Sequence, residues 1–88
     1  MAIRNYINGE KNGLYKKYHI NGQLWMIYNN VDGKINGEYK SYHYNRQLDE
    51  ICNYIDGNKN GKYKKYSEDG ILISHKIYEN NEIIQIVL

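Results

Sequence analysis

Short runs of apolar and tyrosine residues alternate with turn residues along this chain. The runs are about six to nine residues long, the usual length of a β-strand, and they are bounded by Asp-Gly, Asn-Gly or Asn-Asn pairs. Such pairs favour tight hairpin turns, because glycine has no Cβ and Asn or Asp can hydrogen-bond locally. No stretch keeps the 3.6-residue apolar period of a helix. The pattern therefore predicts an all-β chain of hairpins.

Three hairpins are predicted, each with a strand A, a turn and a strand B. Strand A lies at 14–19, 38–43 and 62–67, and strand B lies at 24–31, 48–55 and 72–79. In the middle hairpin, Arg46 stands where the sister turns have Gly22 and Gly70. We expect that turn to be looser or of another type, because arginine is unfavourable in a left-handed conformation.

The hairpin pattern repeats with a fixed period of 24 residues, without insertion or deletion. Seven of the 24 columns are identical in all three copies: Gly9/Gly33/Gly57, Asn12/Asn36/Asn60, Gly13/Gly37/Gly61, Tyr15/Tyr39/Tyr63, Lys16/Lys40/Lys64, Tyr18/Tyr42/Tyr66 and Leu24/Leu48/Leu72. Repeated units bury their apolar faces only by stacking on neighbours. We therefore predict one domain, 1–88, with a partial strand at 1–7, repeats at 8–31, 32–55 and 56–79, and a terminal strand at 80–88. Its architecture should be a single-layer, twisted antiparallel meander of stacked hairpins.

The two terminal segments read as incomplete units. Ile3 and Tyr6 are in register with strand B residues of the later units, which predicts a lone strand B. At the other end, Asn80-Asn81 replaces Asp-Gly, and an apolar run follows. Its apolar members are Ile83, Ile84, Ile86, Val87 and Leu88. A repeat array needs atypical ends, so this run is a capping strand, or it is an uncharged edge that pairs with a second chain and makes a homodimer.

Composition narrows the choice of function. The net charge is only +2, with twelve basic and ten acidic side chains. A dedicated nucleic-acid-binding protein usually has a larger excess of positive charge. Cys52 is the only cysteine, which excludes an intrachain disulfide and a four-thiolate zinc site. The first residues lack an apolar signal-peptide core, and no apolar stretch approaches the roughly 20 residues that span a bilayer. We expect a soluble cytoplasmic protein without a membrane partner.

The succession Gly-x-Tyr-Lys-x-Tyr, Asn-Gly-x-Leu and Asp-Gly-Lys-x-Asn-Gly resembles the variant class of MORN repeats (membrane occupation and recognition nexus). Bacterial antitoxin-type repeat proteins and proteins of amoeba-infecting giant viruses carry this pattern. The resemblance runs from Asn8 to Glu79, and the abundance of Asn, Lys, Ile and Tyr fits the A/T-rich genomes of such viruses. It implies an elongated sheet that acts as an interaction platform or spacer, in the host cytoplasm if the protein is viral, without catalytic residues.

A ladder of lysines suggests a second function. Lys16, Lys40 and Lys64 recur in register, about 10 Å apart per hairpin at the usual strand spacing. Aromatic side chains beside cations can stack nucleobases and neutralise phosphates, but lysines also keep a flat sheet soluble. Because side chains alternate along a strand, only one of the Tyr15 and Tyr18 columns can share the face of the lysines.

Other candidate chemistry is sparse. His19 and His43 share a column, but Ser67 stands there in the third unit and no acidic column completes a ligand set, so we expect no metal. No carboxylate pair or serine motif is typical of a catalytic site, and we expect neither enzymatic activity nor a cofactor.

Trp25 has no sister in the other units, where Asp49 and Ile73 stand. With Tyr28 it is either packing on the N-terminal partial strand or an exposed aromatic anchor, the residue type most enriched in binding hot spots. Strand B alternates irregularly, which a bulge or a sheet packed on both faces would explain. The sequence thus predicts a self-associating protein–protein interaction or regulatory module, with a nucleic-acid-associated regulator as the alternative. The candidate interaction residues are Trp25, Tyr28, Lys16, Lys40 and Lys64.

Overall fold

The computed structural model describes residues 2–3, 6–7 and 10–88, and the side chains from residue 12 onward. Gly9 and residues 1, 4 and 5 of the predicted partial strand lie outside this part. The strands are β1 (Ala2–Ile3), β2 (Tyr6–Ile7), β3 (Glu10–Lys11), β4 (Gly13–Tyr18), β5 (Leu24–Val31), β6 (Lys34–Ile35), β7 (Gly37–Tyr42), β8 (Leu48–Ile55), β9 (Asn58–Tyr66), β10 (Leu72–Glu79) and β11 (Glu82–Ile86). Within these described ranges there is no helix long and apolar enough to cross a membrane.

Eight strands form one open sheet in the order β1-β4-β5-β7-β8-β9-β10-β11, and each pairs antiparallel with its neighbours. Strand β6 pairs with β5 beside this path, while β2 and β3 form a separate pair. The Cα atoms extend over 41 × 34 × 11 Å, as expected for one layer. The predicted single-layer antiparallel meander is confirmed. Strands β5, β8 and β10 coincide with the three predicted B strands.

The turn inside each hairpin has the same geometry in all three units, so the expectation of a different turn at Arg46 is wrong. Arg46 has a φ of 76°, close to 87° at Gly22 and 82° at Gly70. Its amide donates to the His43 carbonyl at 3.0 Å, and the Asn45 side chain accepts from the Gln47 amide at 3.0 Å. These bonds hold the backbone in a left-handed conformation that costs arginine about 1–2 kcal/mol.

The turns between units are of the mirror-image hairpin type. Both central residues have positive φ, with 51° at Asp32 and 81° at Gly33. Asn80 and Asn81 keep this conformation, with φ of 49° and 69°. Such turns match the right-handed twist of the flanking strands. The Asn-Asn pair therefore folds the terminal segment back as one more strand.

A β-bulge in each hairpin explains the irregular alternation of the B strands. The pairing passes from Lys17↔Met26 to Tyr18↔Leu24, which leaves Trp25 as the extra residue. The same shift occurs at Asp49 and at Ile73. Because a bulge changes which residues face which side, no single parity describes strand B.

Register and alternation divide the sheet into two faces. The tyrosine face carries Tyr15, Tyr28, Tyr39, Cys52, Tyr54, Tyr63 and Tyr78, and the lysine face carries Lys16, Lys40, Lys62 and Lys64 with Tyr18, Tyr42 and Tyr66. The tyrosine face holds the small core, where Tyr15 and Cys52 are 4% and 5% exposed. Ring centroids lie 4.8 Å apart for Tyr15 and Tyr28. The row of rings shields the middle of a sheet that has no second layer.

Residues 2–3 pair with β4 as a strand B does, whereas Tyr6 and Ile7 pair with β3. Ala2 and Ile3 lie opposite Lys17 and Lys16. One unit later, the equivalent pairs are Met26↔Ser41 and Ile27↔Lys40. The 24-residue period thus extends into the partial unit.

Candidate functional site

The C-terminal edge of the sheet is rich in exposed apolar side chains. Strand β11 pairs with β10 on one side, and all residues from Glu82 to Leu88 are exposed. Ile83 and Ile86 lie opposite Tyr78 and Lys76 of the tyrosine face. Leu88 exchanges two main-chain hydrogen bonds with His75, each 3.0 Å long. The five predicted dimerisation residues remain between 47% and 69% exposed: Ile83, Ile84, Ile86, Val87 and Leu88.

The lysine face is corrugated. The A strands form ridges of long side chains, and the B strands between them form shallow grooves. A groove of about 330 Å³ over β8 has Ile51 and Asn53 at its floor and Lys62 and Lys64 on one wall. A groove of about 410 Å³ over β5 repeats this arrangement, with floor residues Ile27 and Asn29, wall residue Lys40, and Glu38 shared with the first groove. The 24-residue period of the sequence therefore gives a periodic surface.

Some lysines of the lysine face are paired with a carboxylate and others are not. Lys40 forms an ion pair with Glu38 at 3.1 Å, and the hydrogen bond to this carboxylate raises the pKa of Lys40. Among the described residues, Lys16, Lys62 and Lys64 have no carboxylate within ion-pair distance. Within the part of the chain whose side chains are described, three cations of the ridges therefore have no carboxylate partner that would compete with an external anion.

Lysines of the tyrosine face are engaged by their neighbours. Lys65 contacts Asp49 at 2.9 Å, and Lys59 lies over the rings of Tyr63 and Tyr78 at 5.0 and 5.1 Å. The Tyr63 hydroxyl donates to the Glu50 carboxylate at 2.5 Å. Burial first, and this hydrogen bond second, raise the pKa of Tyr63 far above its ordinary value. These contacts explain Asp49 and Glu50 as structural carboxylates.

Trp25 and Tyr28 lie on the tyrosine face, so the predicted interaction residues do not form one site. Trp25 stacks on His19 with ring centroids 5.1 Å apart, and the Lys17 ammonium lies 4.3 Å from its ring centre. Tyr28 sits between the rings of Tyr15 and Tyr39 at 4.8 and 5.7 Å. Both residues pack on their own neighbours. Lys16, Lys40 and Lys64 share the opposite face.

The histidine column links successive hairpins, a role that the sequence reasoning missed. Nε2 of His19 donates to the Tyr42 carbonyl, and Nε2 of His43 donates to the Tyr66 carbonyl, both at 2.8 Å. Each bond spans 23 residues, one less than the repeat. This constant offset between the units was the signal from which the linking role of the histidines could have been predicted. In the part of the chain with described positions, no group of three or more His, Cys, Asp and Glu could hold a metal.

Comparison with known proteins adds no identification. No protein-family model matches the sequence, and no curated protein matches it. Membership in the variant MORN class therefore stays a prediction from the repeat pattern.

Proposed function

We propose that this chain is a non-catalytic, MORN-like interaction module that associates through the outer edge of β11, with a second copy of itself as the partner. The observation that carries the proposal is the exposed run from Ile83 to Leu88, whose five apolar side chains are 47–69% exposed. By the 24-residue period, Leu88 stands in the column of Lys16, Lys40 and Lys64, and Val87 stands in the column of Tyr15, Tyr39 and Tyr63. A sheet edge without charges is a template for further strand pairing.

A second copy fits this edge by its chemistry. An interface between two equivalent β11 strands is self-complementary, because antiparallel pairing relates them by a twofold axis. Glu82 is the only charged side chain from 82 to 88 and stands at the start of the strand, so apolar residues would meet apolar residues over the rest. The resulting dimer would continue the sheet through its centre.

Light scattering of the chain and of a version ending at Asn81 tests this proposal. The full chain should give the mass of a dimer at high concentration, and the shortened chain should give a monomer. Circular dichroism of the shortened chain checks that the three hairpins remain folded. A dimer that survives the deletion would move the interface elsewhere, with Trp25 as the next candidate.

A further inference from the structure

Three lysines of the lysine face stand without an anionic partner. Among the described residues, Lys16, Lys62 and Lys64 contact no carboxylate. On the opposite face, Lys17 and Lys59 lie over aromatic rings and Lys65 pairs with Asp49. Within the described part of the chain, the lysine face therefore has three lysines without a carboxylate or ring contact, and the tyrosine face has one, Lys76.

The tyrosines of the same ridges are also unengaged. Tyr18, Tyr42 and Tyr66 lie two residues beyond Lys16, Lys40 and Lys64 in strands β4, β7 and β9, and side chains two apart share a face. They are partly exposed, and they make no ring contact with any other described side chain, whereas the rings of the tyrosine face contact one another. Each ridge thus presents a cation beside a free aromatic ring, and ridges recur about every 10 Å.

We propose that the lysine face binds single-stranded nucleic acid, which would cross the ridges of β4, β7 and β9. The lysines would neutralise phosphates, and the tyrosine rings would stack on bases. A single strand fits better than a duplex, because the base faces of a duplex are already stacked on each other. An acidic protein or polysaccharide would use the lysines but would not need the rings.

The number of cations sets the expected salt dependence. Binding that uses the three unpaired lysines, Lys16, Lys62 and Lys64, would neutralise about three phosphates, which gives a slope of log affinity against log salt of about −2 for a single strand. Substitution of these three lysines should bring this slope close to zero. The affinity itself should be modest and easiest to measure at low salt.

The test measures fluorescence anisotropy of a labelled oligothymidylate of about 15 nucleotides over a series of salt concentrations. The triple variant K16Q/K62Q/K64Q should weaken binding at low salt by at least about tenfold and flatten the slope. The matched control K17Q/K59Q/K76Q removes the same charge from the tyrosine face and should retain most of the affinity. Equal losses in both variants would refute the proposal, because they would indicate attraction to net charge alone.

Tyr42→Leu separates nucleic acid from other polyanions. Loss of a stacked base should weaken oligonucleotide binding by about fivefold or more, with the salt slope unchanged. Binding of heparin, a polyanion without bases, should not respond to this change. Equal behaviour of the two ligands would overturn the assignment to nucleic acid. Repeating the titration with Ile84→Lys, which lies on β11 outside the ridges, shows whether the result holds without self-association.

Discussion

A charge placed in the middle of β11 should prevent self-association without unfolding the chain. Ile84 is 58% exposed and lies on the last strand of the sheet, so a lysine there removes little packing from the monomer. In a dimer of two β11 edges the same lysine would enter the interface twice. Ile84→Lys therefore tests the proposed edge more gently than deletion of the strand.

The structure allows a rough estimate of the dimer's strength. The five apolar side chains at this edge are 47–69% exposed. Complete burial of such a side chain contributes about 1.5–3 kcal/mol of free energy, so about half of this amount can still be gained at each one. If a neighbouring strand covers half of that remainder, ten side chains in a pair contribute about 4–7 kcal/mol. About four main-chain hydrogen bonds add about 2–6 kcal/mol, and association costs at least about 4 kcal/mol. These terms leave a net of about −2 to −9 kcal/mol, and a value of about −6 kcal/mol within this range corresponds to a dissociation constant of about 40 μM.

The lysine variant should shift this equilibrium strongly. Each copy loses about 0.4–0.7 kcal/mol of apolar burial, and two like charges about 10 Å apart add roughly 0.4–1.7 kcal/mol of repulsion. The sum of about 2 kcal/mol weakens the dimer roughly thirtyfold, to a dissociation constant of about 1 mM.

Sedimentation equilibrium from about 10 to 500 μM measures this change directly. The matched control is Ile20→Lys, which adds the same charge at a loop residue that is 99% exposed. The native chain and Ile20→Lys should dimerise alike, and Ile84→Lys should stay monomeric. Dimers of equal strength in all three proteins would refute the assignment of the interface to β11.

Two further predictions concern the monomer. Arg46→Gly should raise the free energy of unfolding by about 1 kcal/mol, because it removes a left-handed arginine. Gly22→Arg should lower the free energy of unfolding by a similar amount, since it places an arginine in an equivalent turn with φ of 87° and open space. Urea unfolding measures both changes, and no change in either variant would contradict the strain argument. Burial raises the pKa of Tyr39, Tyr54 and Tyr63. As the pH rises above about 10, the unfolded chain therefore loses the hydroxyl protons of these tyrosines while the folded chain still keeps them. The stability that these buried neutral tyrosines contribute is complete below about pH 10 and is lost as the pH rises further. Urea unfolding between about pH 9 and 11 should show that fall. Glu50→Gln replaces the carboxylate acceptor of Tyr63 with a neutral amide oxygen and should reduce the fall; a flat profile would contradict the burial argument.

Repetition made the fold predictable, because a 24-residue period with paired turn signals leaves few arrangements other than stacked hairpins. The three B strands were correct to the residue. The turn at Arg46 was predicted wrongly. The preference of arginine against a left-handed conformation is outweighed there by hydrogen bonds that the rest of the hairpin fixes. The sequence also could not predict which face of the sheet Trp25 lies on, because the β-bulge at Trp25 is visible only in the pairing register of the strands.

The two proposed surfaces are compatible within one assembly. Strand β11 lies at the end of the sheet, while the ridges lie on β4, β7 and β9, so edge pairing would leave the ridges uncovered. Directly opposed residues of antiparallel strands point to the same side, and the lysine faces of two copies would therefore lie on one side of a continuous sheet. A nucleic acid long enough to contact both copies should bind the dimer preferentially and, by linkage, strengthen it. Ile84→Lys should then weaken the binding of long single strands while leaving short ones unaffected, because only long strands depend on the second copy.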